Sequence, residues 1–261
     1  MVLQAATNRH KLEITWDPLP EDFVLPDDPV ENIQQPLLAA ALNDALDEAR
    51  LIQPEMLIAS NFGLVATVNN RTVVKAPDWL LVPQVAPAPE GTIRRSYTPH
   101  KQGDPVSIVM EFLSDTETGE YSVRPIYPYG KLYFYEKILK VPTYVIFNPL
   151  DGTLEVRSLQ SDGYTLESPN EAGRYWIPAL NLWLGEWYGK RLEKNEHWLR
   201  WWDQAGNLLL WGNEKAALEH QRAEQERQKA EQARQKAEQE RQRAATLAAK
   251  LRELGVDPDA L

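Results

Sequence analysis

The spacing of apolar residues divides most of the chain into helical and strand-like segments. In residues 36–52 the apolar positions recur every three or four residues, as at Leu38, Leu42 and Leu46. This spacing predicts an α-helix, and Pro36 suits its first turn. A second helix is predicted over residues 131–140. Denser apolar runs predict strands, which cover residues 56–68, 71–76, 79–86, 106–113, 143–149 and 153–159.

The remaining segments before residue 214 lack a regular period. Residues 1–33 are rich in Pro and Asp and predict an irregular N-terminal arm. Long loops are predicted for residues 83–105 and 115–130. Residues 161–213 are short aromatic runs whose spacing predicts a meander of hairpins. We interpret the Trp residues of this segment as core packing and not as a surface that stacks on a base or a sugar, since aromatic residues at strand spacing more often lie in the core.

Residues 214–261 carry a seven-residue repeat. The unit AEQERQK begins at Ala223 and recurs with small changes at Ala230 and Ala237. Oppositely charged residues lie three or four positions apart, which favours a helix by roughly a few tenths of a kcal/mol per pair. Because Ala buries little apolar surface, an exposed single helix is favoured over a weak coiled coil that would begin at Leu247 and Leu254.

Composition and charge exclude several classes of site and partner. Cys is absent, which excludes disulfides, thiolate metal sites and a Cys nucleophile. The net charge of −10 argues against a generic nucleic-acid binder, which should be basic. No apolar run is long enough to cross a bilayer, so we expect a cytoplasmic protein without membrane contact.

Two acidic residues lie beside apolar strands. Glu111 interrupts the strand 106–113, and Asp78 follows Pro77 at the start of another strand. A buried carboxylate is unfavourable unless it is paired or binds a ligand. If the two strands are neighbours, the carboxylates converge, and a proton or a divalent cation such as Mg²⁺ relieves their repulsion. The alternatives are a strand-end carboxylate that reaches solvent or an Arg, and an ordinary turn residue after proline.

Four pieces of sequence follow one another in a characteristic order: 77-PD-78, 109-VMEFLS-114, 131-KLYFY-135 and 141-VPTYVIFNP-149. In order and spacing they resemble the Uma-two endonuclease family, which belongs to the restriction-endonuclease-like (PD-(D/E)XK) superfamily. The resemblance covers about residues 34–160. It implies an α/β fold in which a mixed β-sheet flanked by helices occupies 34–160. A small Trp-rich β appendage (161–213) and a long charged helix (214–261) would follow.

The resemblance also implies roles for individual residues. Asp78 and Glu111 would bind Mg²⁺ or Mn²⁺. The lysine usual in the superfamily two residues after the Glu is replaced by Leu113, and the basic role would move to Lys131 on the next helix. Tyr135 follows one helical turn later, on the same side as Lys131, and is a candidate substrate contact. The strand that follows ends in Asn148 where many relatives have Asp.

The implied function is Mg²⁺-dependent hydrolysis of phosphodiester bonds in DNA. In the loop 83–105, Arg94, Arg95 and Lys101 are candidates to contact phosphates, with an ordinary solvated loop as the alternative. Two other functions remain open. One is an inactive nuclease-fold scaffold that forms a homo-oligomer through its C-terminal helix. The other is a carbohydrate- or peptide-binding module built on the Trp-rich region.

Overall fold

The computed structural model describes residues 13–17, 33–114 and 119–253. The chain divides into two compact units between Leu210 and Trp211. The helices are α1 (Gln34–Glu48), α2 (Lys131–Tyr133), which continues as a π-helix over Phe134–Leu139, and α3 (Gly212–Glu253). A 3₁₀ turn covers Gly119–Tyr121. The strands are β1 (Ile14–Thr15), β2 (Leu57–Ala59), β3 (Gly63–Val68), β4 (Arg71–Lys75), β5 (Trp79–Val82), β6 (Ser96–Tyr97), β7 (Ile108–Phe112), β8 (Thr143–Phe147), β9 (Leu154–Gln160), β10 (Gly163–Leu166), β11 (Arg174–Ile177), β12 (Leu182–Arg191) and β13 (Lys194–Trp202).

A mixed six-stranded sheet forms the centre of the first unit. Its order is β10-β9-β8-β7-β5-β2; β7 and β8 are parallel, and the other neighbours are antiparallel. Every residue of β5, β7 and β8 is buried. Burial on both faces explains why these strands read as nearly continuous apolar runs rather than alternating ones. It also places Glu111, in the middle of the sheet, among apolar neighbours.

Two smaller sheets complete this unit. In one, β3 pairs with β4 along one edge and with β1 and β6 along the other. The other is the antiparallel meander β11-β12-β13, with nine residue pairs joining its two long strands. Trp198 and Trp201 in β13 are buried, so the Trp-rich region packs as core, as its spacing favoured.

Helix α1 joins the central sheet to the meander. Its Leu38, Leu42 and Leu46 are buried as the helical spacing predicts, and the helix lies against β13. Asn43 Oδ1 on α1 accepts a hydrogen bond from the Trp79 indole at 2.7 Å. Trp79 in turn contacts Trp201, with ring centroids 6.3 Å apart. The two sheets and the helix thus share one apolar interior.

The structure confirms the α/β class, the mixed sheet and the long C-terminal helix, with several local differences. Ile14–Thr15 form a short strand on β3 where an irregular arm was predicted. The predicted strand 56–68 is divided, because Asn61 adopts a left-handed conformation with φ of 47°. Inside the predicted loop 83–105, Ser96–Tyr97 pair with β3. Strand β10, predicted as part of the appendage, extends the central sheet instead.

Some sequence predictions fall outside the described residues. These are the rest of the N-terminal arm, residues 115–118 of the second loop, and residues 254–261 of the C-terminal segment. The division into a nuclease-like core, an appendage and a helical domain also stays a prediction.

Helix α3 spans 42 residues, and nearly all its described side chains are exposed. Ion pairs between residues three apart join Arg227 to Glu224 at 3.0 Å and Lys229 to Glu226 at 2.9 Å. Such pairs support an isolated helix in water. The coiled coil and the homo-oligomer stay predictions. Among the described residues, no helix combines the length and apolar character needed to span a membrane.

Candidate active site

The pairing of β5 with β7 brings the two predicted carboxylates together. Trp79 pairs with Met110 and Leu80 with Val109; continued by one residue, this register puts Asp78 opposite Glu111. Directly opposite residues of an antiparallel pair project from the same face. Asp78 Oδ2 also accepts a hydrogen bond from the Phe112 amide at 2.5 Å. The Asp78 carboxylate is therefore fixed to the backbone next to Glu111.

Glu111 is 0% exposed, and both its oxygens have partners. Tyr135 Oη donates a hydrogen bond to Glu111 Oε1 at 2.8 Å, and Lys131 Nζ lies 3.2 Å from Glu111 Oε2. Lys131 and Tyr135 are four residues apart, so both reach the same carboxylate from one side of the helix, as their spacing predicts. Asp78, Glu111 and Lys131 form a compact group, called the Asp-Glu-Lys cluster below.

Gly130 directly precedes the helix that carries Lys131 and lies close to the Ser122 carbonyl. A Cβ atom at Gly130 would overlap the Ser122 carbonyl oxygen, so no larger residue fits without a backbone shift. The same carbonyl accepts a hydrogen bond from the Tyr133 amide at 3.3 Å. Since helix N-termini have unsatisfied amides, this bond holds the first turn of α2 against the 3₁₀ turn at Gly119–Tyr121.

That 3₁₀ turn contributes a third carboxylate, Glu120, which is 2% exposed. Its Oε1 lies 3.2 Å from Lys131 Nζ, so the ammonium group bridges Glu111 and Glu120. Its Oε2 is buried and has no hydrogen-bond partner among the described residues. The Tyr144 hydroxyl donates to the Glu120 backbone carbonyl at 2.9 Å and anchors the turn. Glu120 was not predicted, because it lies in a segment without periodicity.

Helix α1 also contacts β7 beside the Asp-Glu-Lys cluster. Gln35 Nε2 donates a hydrogen bond to the carbonyl oxygen of Phe112, the residue after Glu111, at 2.8 Å. Gln35 is buried in the first turn of α1. Sequence reasoning missed this residue as well, because a polar residue next to Pro36 at a helix start is ordinary.

Burial determines the electrostatics of the two strand carboxylates. Burial first, and then the charge of Glu111, raise the pKa of Asp78 to about 8. Burial raises the pKa of Glu111 to about 7, although Lys131 and Tyr135 favour its charged form. Burial alone would lower the pKa of Lys131, but the charges of Glu111 and Glu120 outweigh burial and raise it. The ammonium thus stays charged while the strand carboxylates readily hold protons.

The chemistry of these side chains suits a hard divalent cation. Asp78, Glu111 and Glu120 offer only oxygen atoms, which Mg²⁺ and Mn²⁺ prefer, and the unpartnered Glu120 Oε2 leaves acceptor capacity unused. In the described part of the chain, no three acidic or His side chains are already arranged around a common metal position. The ammonium of Lys131 supplies the counter-charge instead. The assignment of Asp78 and Glu111 as metal ligands therefore stays a prediction.

The other predicted site residues lie elsewhere or act differently. Arg94 donates to the carbonyl oxygen of Ala86 at 2.5 Å and lies over the Tyr97 ring, within its own loop. Arg95 and Lys101 are exposed on the same loop. Tyr135 is fully buried with its hydroxyl on Glu111, a position suited to holding the carboxylate. Asn148 Oδ1 accepts from the Leu150 amide at 3.1 Å and stabilises the turn after β8.

Removal of the Tyr135 hydroxyl is expected to destabilise the protein. In Tyr135→Phe, Glu111 Oε1 loses its donor, and a hydrogen bond to a buried charged group contributes about 1.5–3 kcal/mol. We expect the free energy of unfolding, measured in urea, to fall by that amount at pH 8. At pH 5, where Glu111 holds a proton, it should fall by less. Tyr164→Phe is the matched control, because its hydroxyl donates to the neutral Val141 carbonyl at 2.9 Å. Equal losses at both pH values in Tyr135→Phe would contradict the prediction.

Comparisons with known proteins identify the family. The model of the Uma2 family, described as "Putative restriction endonuclease", matches residues 22–185. The matched range contains β2 to β11 and all residues of the Asp-Glu-Lys cluster. No curated protein matches the chain. Because the family match covers more than half of the chain, this protein belongs to the Uma2 family.

Proposed function

We propose that this protein is an endonuclease that hydrolyses phosphodiester bonds of DNA with the help of Mg²⁺ or Mn²⁺. The observation that carries the proposal is the Asp-Glu-Lys cluster, in which an ammonium lies 3.2 Å from a fully buried carboxylate. Such a buried carboxylate is unfavourable for folding. A functional requirement would account for a buried carboxylate at this position, and the family description, "Putative restriction endonuclease", supports phosphodiester hydrolysis as the reaction.

Each residue of the cluster has a distinct role in this proposal. Asp78 and Glu111 would hold the cation, Asp78 from the residue that precedes β5 and Glu111 from the residue before the last one of β7. When bound, such a cation supplies Lewis-acid stabilisation of phosphate charge and a more acidic water. Lys131 donates hydrogen bonds to the attacking water or to the phosphate oxygen on which charge develops. Tyr135 positions Glu111 by its 2.8 Å hydrogen bond.

The net charge of the chain does not favour long-range attraction of DNA. With a net charge of −10, long-range attraction to phosphates is weak. Binding would therefore depend on local cations: the bound metal, Lys131, and the exposed Arg95 and Lys101 of the loop 83–105. Arg94 would contribute by holding that loop, through its contacts with Ala86 and Tyr97.

Cleavage of plasmid and single-stranded DNA with Mg²⁺ or Mn²⁺ tests the proposal. Wild type is expected to cleave only with the metal, and Lys131→Met to lose about 10²-fold or more in rate, since one lost electrostatic donor costs that much. Lys137→Met, on the same helix but paired with Glu136 at 3.0 Å, is the control and should cleave normally. Wild type that neither cleaves nor binds Mn²⁺ in calorimetry would refute the proposal and favour the scaffold function.

A further inference from the structure

Glu120 is a buried ionisable group for which the proposed reaction has no role so far. It is as inaccessible as Glu111, yet it lies outside the sheet, on a 3₁₀ turn. An isolated carboxylate at 2% exposure is costly to bury. Its one charged contact is Lys131, and its second oxygen has no partner among the described residues. A carboxylate kept only for structure would be expected to use both oxygens.

The local backbone is built to hold Glu120 against Lys131. The Ser122 carbonyl contacts Gly130 closely and accepts the Tyr133 amide at 3.3 Å. Tyr144, on the central sheet, donates to the Glu120 carbonyl at 2.9 Å. The turn is therefore fixed both to the helix that carries Lys131 and to the sheet that carries Glu111.

The net charge of the group around Lys131 becomes more negative when Glu120 is counted with it. Asp78, Glu111 and Lys131 together carry one negative charge when all are ionised, which only partly balances a divalent cation. With Glu120 the group carries two negative charges, which balance one divalent cation. Glu120 also leaves Lys131 equidistant, at 3.2 Å, from two carboxylates, so the ammonium can remain in place if Glu111 turns toward a metal.

We propose that Glu120 is a positioning residue of the active site: it holds the Lys131 ammonium in place and supplies the third negative charge that favours divalent-cation binding. The inference rests on the proposed function. Without Glu120, the ammonium of Lys131 would be paired with Glu111 alone and would compete with the cation for the Glu111 carboxylate. With Glu120, Lys131 has an anchor of its own and stays available to the attacking water or the phosphate.

Glu120→Gln tests the inference, because it keeps the shape of the side chain and removes its charge. Mn²⁺ affinity measured by calorimetry is expected to fall about tenfold or more, since a unit charge a few Å away interacts strongly with a divalent ion at a partly buried site. The kcat for DNA cleavage is expected to fall while KM for DNA changes little, because Glu120 is too buried to touch DNA. Glu120→Asp, which retains the charge but shortens the side chain, should keep more of the Mn²⁺ affinity than Glu120→Gln.

A double variant separates positioning from simple structural support. In a Lys131→Met background, Glu120→Gln should lower kcat at saturating Mn²⁺ no further, because the group that Glu120 positions is gone and the weaker metal binding is compensated by excess metal. The matched control is Glu136→Gln, which removes a carboxylate paired with Lys137 at 3.0 Å outside the cluster and should leave Mn²⁺ affinity and kcat unchanged.

The outcomes distinguish this inference from the proposed function. If wild type binds Mn²⁺ and cleaves DNA while Glu120→Gln does both equally well, the inference alone is overturned. If Glu120→Gln and Lys131→Met reduce kcat additively, Glu120 does not act through Lys131 and the positioning role is overturned. If wild type binds no Mn²⁺, the proposed function and this inference fall together.

Discussion

Glu111→Gln is expected to lose cation-dependent DNA cleavage and, in metal-free buffer at pH 8, to be more stable than wild type. The loss should be at least about 10²-fold, because even outer-shell partners of metal ligands contribute 10- to 100-fold. The gain in stability follows from burial, which raises the pKa of Glu111 to about 7. Removing a buried charge that is disfavoured at pH 8 is expected to add on the order of 2 kcal/mol to the free energy of unfolding.

Two features of the site make this variant informative. Gln keeps the size of the side chain and an oxygen that can accept the Tyr135 hydrogen bond, while its amide nitrogen takes the place of Oε2 beside Lys131. Lys131 keeps Glu120 as a partner, so the ammonium is not left unpaired. Urea unfolding with a chelator present measures the stability, and the cleavage assay measures the activity. A variant that is less stable at pH 8 but cleaves DNA normally would show that Glu111 is a structural carboxylate.

The stability of the metal-free protein is expected to fall as the pH rises from about 4 to about 8. Unfolded Asp and Glu lose their protons near pH 4, whereas folded Asp78 and Glu111 keep theirs until about pH 8 and about pH 7. Between these values the folded state binds more protons than the unfolded state, so each increase in pH favours unfolding. These two groups contribute a decrease on the order of a few kcal/mol across that window.

Urea titrations at one-unit pH steps, with a chelator present, measure this slope. The double variant Asp78→Asn with Glu111→Gln should flatten it, because the two groups that titrate are gone. Added Mn²⁺ should restore stability to wild type mainly above pH 7, where it replaces the missing protons. Stability that rises from pH 4 to pH 8 in wild type, as in proteins whose paired carboxylates have lowered pKa values, would contradict the assignment.

The site residues that could be predicted from the sequence are those on or directly beside the buried strands. Asp78 and Glu111 could be assigned because each interrupts a strongly apolar run, and such runs become buried strands. Their convergence depended on β5 lying next to β7, which apolar spacing does not specify. Lys131 came from the family resemblance, since a lysine at a helix start is otherwise unremarkable.

The site residues that were not predicted lie in segments where apolar residues have no regular spacing. Glu120 and Gln35 reach the site from a 3₁₀ turn and from the first turn of α1, and both depend on long-range packing. The break at Asn61 and the pairing of Ser96–Tyr97 with β3 have the same origin, because local composition does not specify a left-handed residue or a distant partner. Conversely, the helical spacing of residues 36–52 was sufficient to predict α1 because its apolar stripe is long and regular.

The long helix α3 has a thermodynamic consequence of its own. Unfolding changes heat capacity mainly through the apolar surface that it exposes, and the side chains of α3 are already in water over nearly its whole described length. Melting this helix therefore exposes little new apolar surface and adds little to the heat-capacity change of the protein. For the same reason we expect a broad transition if the helix is isolated, since fraying from its ends meets no cooperative core. In a calorimetric scan the helix contributes a gradual slope, and the peak belongs to the β-rich unit.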